Sequence, residues 1–338
     1  MKFLMIHSEK KYSYNLLHIL STAFSIFGFI GNLSAQQKPY FPPPQEISSL
    51  ITKKTFIYSV KGNDSLGLDV YTLKNMDSSV KKPCIIFVFG GAFVIGRRDD
   101  SVYNSYFNFL VQNNYIVVSI SYRLGLKGVR HVSKFNIKPL KNAVDMAVDD
   151  AYDATNWVVT HAQTLGVDTS QVLLSGSSSG AITVLTAEFE RKNEYPESAK
   201  LPAGFQYAGV ISFSGAILSF HGKLSYKNKP APKLMFHGTA DKIVTYTKIR
   251  FFNKGFYGSS WIAKVAAENN DPYYLYSDDG LGHEVAVLPM VNNLTEIQDF
   301  LNRFIAQHKN YQINLHFKDP DQKPVMLLTS EELMKKLN

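Results

Sequence analysis

The sequence predicts an α/β chain folded around one doubly wound, mostly parallel sheet that begins with an antiparallel pair of strands. Three observations carry that expectation. From about residue 55 onward, short apolar runs alternate with longer stretches of helical periodicity. The first two runs are separated only by KGNDS, the length of a hairpin turn, whereas most later ones flank helical stretches long enough for a parallel crossover. No internal repeat and no interdomain linker divides the chain, and 338 residues, 45% of them hydrophobic and 19% charged, can bury a substantial core.

The first 35 residues stand apart. Lys2, Lys10 and Lys11 precede the apolar run LLHILSTAFSIFGFIGNLSA, which ends in the small residues Ser34 and Ala35, the pattern of a secretory signal peptide cleaved after Ala35. An uncleaved membrane anchor is the competing reading, since the run approaches the ~18 apolar residues a span requires; His18, Ser21, Ser25, Gly28 and Asn32 weaken it. The expectation is a secreted or periplasmic protein with no stable membrane insertion after cleavage. One domain then covers 36–310, followed by a C-terminal extension, 311–338.

After the proline-rich entry KPYFPPPQ, eight strands are expected: TFIYSV (55–60), LGLDVYTL (66–73), PCIIFVF (83–89), YIVVSISY (115–122), QVLLSG (171–176), AGVISFS (208–214), KLMFHG (233–238) and PYYLYS (272–277). The clearest helix is 142–166, where Ala143, Met146, Ala147, Ala151, Ala154 and Trp157 recur at helical spacing and Gly166 supplies a stop. Cys84 is the only cysteine, so no intramolecular disulfide can form; it opens an apolar strand and reads as inert packing. The formal charge of +8 includes three lysines and one glutamate of the leader, leaving +6. The lysines are scattered, with no arginine-rich stripe, so the charge serves solubility and no nucleic-acid partner is expected.

The stretch LSGSSSGA (174–181) lies between an apolar strand and a helical run. At such a turn the pattern Gly-x-Ser-x-Gly puts a serine at the strained apex, with small residues where strand and helix cross too closely for side chains. Of Ser175, Ser177, Ser178 and Ser179, only Ser178 has that flank, in Gly176 and Gly180. The pentapeptide alone is equally compatible with a serine-rich loop that caps the next helix. A serine hydroxyl also needs a base to take its proton and a carboxylate to orient that base. Asp241 follows the strand KLMFHG, and His283 lies in a glycine-flanked loop after the strand PYYLYS, both just beyond the carboxyl ends of expected parallel strands. His237, at a strand end, reads as structural. Backbone N–H donors for a developing oxyanion, each worth ~3 to 4 kcal/mol, are expected from Ser179 and from Gly91 and Ala92 in the loop FGGAFVIG (89–96).

Taken together, these residues resemble the α/β-hydrolase superfamily, specifically its carboxylesterase and hormone-sensitive-lipase-like branch, over about residues 50–308. SYRL (121–124), LGVD (165–168), GSSSG (176–180), HGTADKIV (237–244) and GHE (282–284) look like landmarks of that family. The resemblance implies an eight-stranded, mostly parallel sheet flanked by helices and a Ser178–His283–Asp241 acyl-enzyme mechanism without metal or cofactor. Two positions depart from the family pattern: Phe89 stands where a histidine is usual, and Ser179 where an alanine is common.

Hydrolases of this kind include esterases that release acetyl or feruloyl groups from plant polysaccharides, so a small-molecule or carbohydrate ester is the expected substrate. Residues 125–140 and 216–232 are expected to shape the mouth of the site. FFNKGFYGSSWIA (251–263) offers either an aromatic wall or ordinary core. A prolyl-oligopeptidase-like peptidase is the alternative enzyme, although about fifteen residues between Ala35 and the first strand region leave no room for its propeller. A catalytically silent binding protein of the same fold is the alternative of a different class.

Overall fold

The computed structural model describes residues 45–77, 79–129, 136–326 and 328–337; the leader expected over 1–35 lies outside them. In chain order the strands are β1 (Ile51–Lys61), β2 (Asp64–Leu73), β3 (Lys82–Val88), β4 (Ile116–Ile120), β5 (Val167–Ser177), β6 (Gly209–Phe213), β7 (Ala216–Ser219), β8 (Lys233–Gly238), β9 (Lys248–Phe251), β10 (Lys254–Gly258), β11 (Tyr273–Asp278) and β12 (Gln312–Phe317). All eight expected strands form and lie side by side in the order β1-β2-β4-β3-β5-β6-β8-β11. The pairs β1/β2 and β2/β4 are antiparallel, and every pair from β4 onward across this sheet is parallel.

The sheet has nine strands where eight were expected. β12, from the segment read as a C-terminal extension, pairs in parallel with β11 and forms the far edge. Its sequence signal is weak because an edge strand is only partly covered: Ile313 and Leu315 are half-buried and alternate with exposed Gln312, Asn314 and His316. The central strands read strongly for the opposite reason, since helices cover both their faces and the runs are predominantly apolar. Ile85, Ile86, Phe87 and Val88 are fully buried, each contributing roughly 1.5–3 kcal/mol by leaving water. Cys84 is buried beside them and burial pushes its thiol pKa well up, so it is packing and not a reactive group.

Among the described residues, the α-helices longer than a single turn are α1 (Asn104–Gln112), α2 (Lys138–Thr160), α3 (Ser179–Asn193), α4 (Ser259–Glu268), α5 (Leu294–Phe300) and α6 (Ser330–Leu337). The helix expected at 142–166 starts earlier, with a proline in its first turn, and breaks at His161 before one last turn closed by Gly166 at φ 73°. The chain steps from β3 outward to β4 through α1, then back past β3 to β5 through α2. Because parallel crossovers are right-handed, that reversal puts α1 on one face of the sheet and α2 with α3 on the other. It also opens a crevice at the carboxyl ends of β3 and β5, where the two windings diverge. The β3 loop carrying Gly90 to Ala92 and the β5 turn carrying Ser178 meet there.

Candidate active site

Ser178 sits at the apex between β5 and α3 with φ 51° and ψ −116°, a left-handed conformation that a non-glycine residue adopts only under constraint. The constraint is steric, partly within the turn and partly from β3. A Cβ on Gly180 would lie 2.0 Å from the Val88 carbonyl oxygen, and one on Gly176 would lie 2.4 Å from that of Gly180. The Ser178 N–H donates to Phe213 O at 2.9 Å, which pins the apex to β6.

The four serines separate by what they touch. Ser175 Oγ pairs with Tyr106 Oη at 3.1 Å inside the core. Ser177 Oγ donates to Ala286 O at 2.8 Å, tying the His283 turn to the end of β5. Ser179 Oγ lies 3.2 Å from Tyr122 Oη. Ser178 Oγ lies 2.7 Å from His283 Nε2.

His283 is only 4% exposed, and its Nδ1 lies 2.7 Å from Asp241 Oδ2. The carboxylate only accepts, so Nδ1 carries the proton and Nε2 is left with its lone pair facing the Ser178 hydroxyl. β11 is three strands away from β5, and the loops bridge the gap by locking together. Thr239 N–H donates to Asp278 O at 3.0 Å and Ala240 N–H to Leu281 O at 2.9 Å. Gly238 is needed for this approach, since a Cβ there would lie 2.3 Å from Gly282 O.

Asp241 is itself held on all sides. Its Oδ1 accepts from the Ile243 and Val244 N–H groups at 2.8 and 2.9 Å, and His237 Nε2 lies 3.4 Å from Oδ2. Burial by itself would push this carboxyl up. The positive charge of His283 when protonated, the hydrogen bonds from His237 and His283, and the positive charge of His237 when protonated outweigh that effect and hold it well below the usual carboxylate range. His237 is fully buried; its Nε2 also faces Val244 O at 3.1 Å, and its Nδ1 lies 2.8 Å from Ser259 Oγ. A carbonyl only accepts, so His237 donates from Nε2 and its Nδ1 accepts from the Ser259 hydroxyl.

On the β3 side, Gly91, Ala92 and Phe93 all take positive φ (133°, 56° and 61°), and Val94 and Ile95 N–H both bond Gly91 O. A Cβ on Gly91 would lie 1.8 Å from Ile95 O, so only glycine fits. Gly91 and Ala92 line the cleft beside Ser178, and among the described residues neither N–H donates to a protein acceptor. Ser179 opens α3, where N–H groups lack intrahelical partners and the helix dipole favours negative charge. The arrangement therefore presents a polarised hydroxyl, an oriented imidazole and N–H donors to a single cleft.

Sequence reasoning missed the supports of this loop. Phe89, in the place of the expected histidine, lies 4.5 Å between centroids from the Tyr122 ring, and Tyr122 Oη donates to Phe89 O at 3.1 Å. Tyr103 Oη accepts from Gly90 N–H at 3.0 Å. The brace is thus aromatic and phenolic. Tyr122 lies within SYRL, but nothing in that tetrapeptide says where its hydroxyl points. Glu284, buried beside His283, was also passed over.

The cleft has a volume of about 440 Å³. Its walls come from Gly90–Tyr103, Ser177–Ser178, His283–Val287 and the C-terminal residues Met326, Leu333 and Leu337. Among the described residues none of its lining comes from 125–140 or 216–232, which were expected to shape the mouth. Ala216–Ser219 is instead β7, buried in a small antiparallel sheet with β10 and β9. The stretch 251–263 does not wall the cleft either: Tyr257, Ile262 and Ala263 are core, whereas Phe251 and Phe252 are exposed.

The apo form of Thermogutta terrifontis esterase 2 superimposes with a TM-score of 0.56 at 20% identity, covering 78% of this chain and 98% of that one. The likeness shows an α/β-hydrolase fold. Esterase B1 of Culex pipiens is 31% identical over 121 residues, 36% of this chain and 21% of that protein. The inactive carboxylesterase-like protein VdtD of Byssochlamys spectabilis is 26% identical over 195 residues, 56% of this chain and 29% of that protein. The matched stretch thus spans less than a third of either curated relative's length. The carboxylesterase family model matches residues 32–219, which starts ahead of β1 and runs through the Ser178 elbow to the end of β7. With more than half of the chain matched and the elbow formed at the carboxyl edge of the sheet, this protein belongs to the carboxylesterase family.

Proposed function

We propose that this protein is a secreted serine hydrolase of carboxylic esters that works through an acyl-enzyme on Ser178. One observation carries the reading: an unbroken hydrogen-bonded line runs from Ser178 Oγ through the His283 ring to Asp241, 2.7 Å at each step, at the wall of an open cleft. Ser178 Oγ attacks the ester carbonyl carbon as its proton passes to His283 Nε2. The charge that develops on the carbonyl oxygen is met by the N–H groups of Gly91, Ala92 and Ser179. Collapse breaks the bond to the leaving oxygen, which takes the proton from His283 and departs as the alcohol. Water then attacks the acyl-enzyme with His283 again as base, which releases the acid and restores the Ser178 hydroxyl. Asp241 holds the imidazole in the tautomer this needs and stabilises its charged form.

Secretion rests on the leader pattern of residues 1–35. For the substrate, the cleft joins apolar walls to a polar rim at Arg97, Asp99, Asp100 and Ser101, which suits a small acyl group on a hydrophilic alcohol. Of the acetyl and feruloyl esters of carbohydrates expected from the sequence, the acetyl esters meet that description. The test is fluorophosphonate labelling with mapping of the modified residue, followed by a panel of chromogenic and sugar esters. Labelling at Ser178 with ester turnover, both abolished in Ser178→Ala and retained in Ser177→Ala, is expected. Labelling at another serine, or a labelled enzyme that cleaves only peptides, overturns the reading.

A further inference from the structure

The C-terminal segment is the part of the cleft that the catalytic arrangement does not require. Glu284, next to His283, is 1% exposed and has no cationic partner among the described residues. Its carboxylate is satisfied by backbone: Oε1 accepts from Gly282 N–H at 2.9 Å and Val325 N–H at 3.3 Å, and Oε2 accepts from Met326 N–H at 3.2 Å. Burying a carboxylate is costly unless such donors surround it, so these bonds fix residues 325–326 against the turn that holds the imidazole. The approach is close, since a Cβ on Gly282 would lie 2.7 Å from Met326 O.

A second device fixes the helix beyond this anchor. Thr329 and Glu332 form a reciprocal cap: the Thr329 N–H and hydroxyl reach Glu332 Oε2 at 2.7 and 2.9 Å, while Glu332 N–H donates to Thr329 Oγ1 at 3.3 Å. The start of α6 is thereby set, and with it the face the helix presents. Glu331, Glu332, Lys335 and Lys336 are exposed, whereas Leu333 is buried and Leu337, one turn on, is half-buried. Met326, Leu333 and Leu337 all line the cleft that Ser178 and His283 open onto.

We propose that the described residues 325–326 and 328–337 form the specificity wall of the site: Met326, Leu333 and Leu337 receive the apolar substituent of the ester and set how long it can be. The inference rests on the reading of Ser178 and His283 as an esterase centre and adds the substrate feature they select, an ester with one short apolar group. The anchor on Glu284 explains how so short a helix holds position beside the reacting atoms.

Leu337 is the residue to vary, because it lines the cleft from the last turn and, being half-buried, packs only against the margin of the core. kcat/KM is measured for Leu337→Ala and Leu337→Trp on p-nitrophenyl esters from acetate to octanoate and on acetates of alcohols of the same lengths, with thermal unfolding as a check on the fold. One methylene in an apolar pocket changes kcat/KM by about tenfold or more. Leu337→Ala should raise the ratio of longest to shortest ester by about tenfold in one of the two series, and Leu337→Trp should lower it. Glu284→Gln, which exchanges an acceptor for a donor facing the 325–326 backbone, should blur the length preference in that same series. Ratios within twofold of the parent protein in both series, for both Leu337 variants, overturn the wall while leaving the esterase reading intact. Failure of the parent protein to label at Ser178 or to turn over any ester overturns the esterase reading, and the wall falls with it.

Discussion

Replacing Asp241 by Asn tests the geometry of the site at a single atom. In the native side chain Oδ1 takes the Ile243 and Val244 N–H groups, and Oδ2 takes His283 Nδ1 with His237 Nε2 close by. An asparagine must keep its oxygen toward the two backbone donors, so its NH2 turns toward the two imidazoles. His237 cannot adapt, because Val244 O requires the proton on its Nε2. His283 can, by accepting at Nδ1 and moving its proton to Nε2, the atom 2.7 Å from Ser178 Oγ. The base is then protonated where it must accept. The equivalent change in a serine protease lowers kcat by about 10⁴, which at about 1.36 kcal/mol per tenfold corresponds to ~5.4 kcal/mol of transition-state stabilisation. The donor-to-donor contact with His237 should cost a further ~1–3 kcal/mol of stability. The assay is kcat on a chromogenic ester alongside chemical unfolding. A folded Asp241→Asn variant that retains kcat within tenfold would refute the assignment of Asp241. The same carboxyl has a folded pKa held below its unfolded value, so its contribution to stability is present above about pH 4 and is lost as pH falls through the folded value. The acid side of the unfolding profile should therefore be shallower in Asp241→Asn.

The fold around the site sets three further expected outcomes. Ser178→Gly should abolish ester turnover yet raise unfolding stability by ~1 kcal/mol or more, since it relieves a non-glycine residue held at φ 51°; a lower melting temperature would count against stored strain at the apex. Gly180→Ala should cost ~3 kcal/mol or more, because its Cβ would lie 2.0 Å from a β3 carbonyl that the sheet fixes, and a melting curve unchanged from the parent protein would contradict that crowding. Burial, helped by the charges of Glu284, Glu296 and Asp279, pushes Asp278 up to about 7. Its folded pKa is above the unfolded value near ~3.9, so its contribution is intact at low pH and is lost as pH rises through about 7. Asp278→Asn should then gain stability over the parent protein at pH 8 and little at pH 4; an equal difference at both values would remove Asp278 as the cause.

Local constraint was legible in the chain. The choice of Ser178 among four serines needs only the five residues from Gly176 to Gly180, because the glycine flank itself marks the apex, although the crowding that demands it lies within the turn only at Gly176 and comes from the β3 backbone at Gly180. The central strands are readable because both faces are buried and their cores are predominantly apolar, and the order of Ser178, Asp241 and His283 places each after a strand that the pattern already marks. The tertiary structure alone decided what meets across long separations. Tyr122 reaches Ser179 and Phe89, His237 supports Asp241 through a tautomer set by Val244 and Ser259, and Glu284 captures the backbone of Val325 and Met326 forty residues later. None of these has a local signature, since a hydroxyl or a buried carboxylate is satisfied by whichever donor or acceptor the fold brings near. Among the described residues, the same reason put the cleft wall on the C-terminal segment and not on 125–140 or 216–232. Periodicity says which face of a segment is apolar, and only the packed chain says what that face covers.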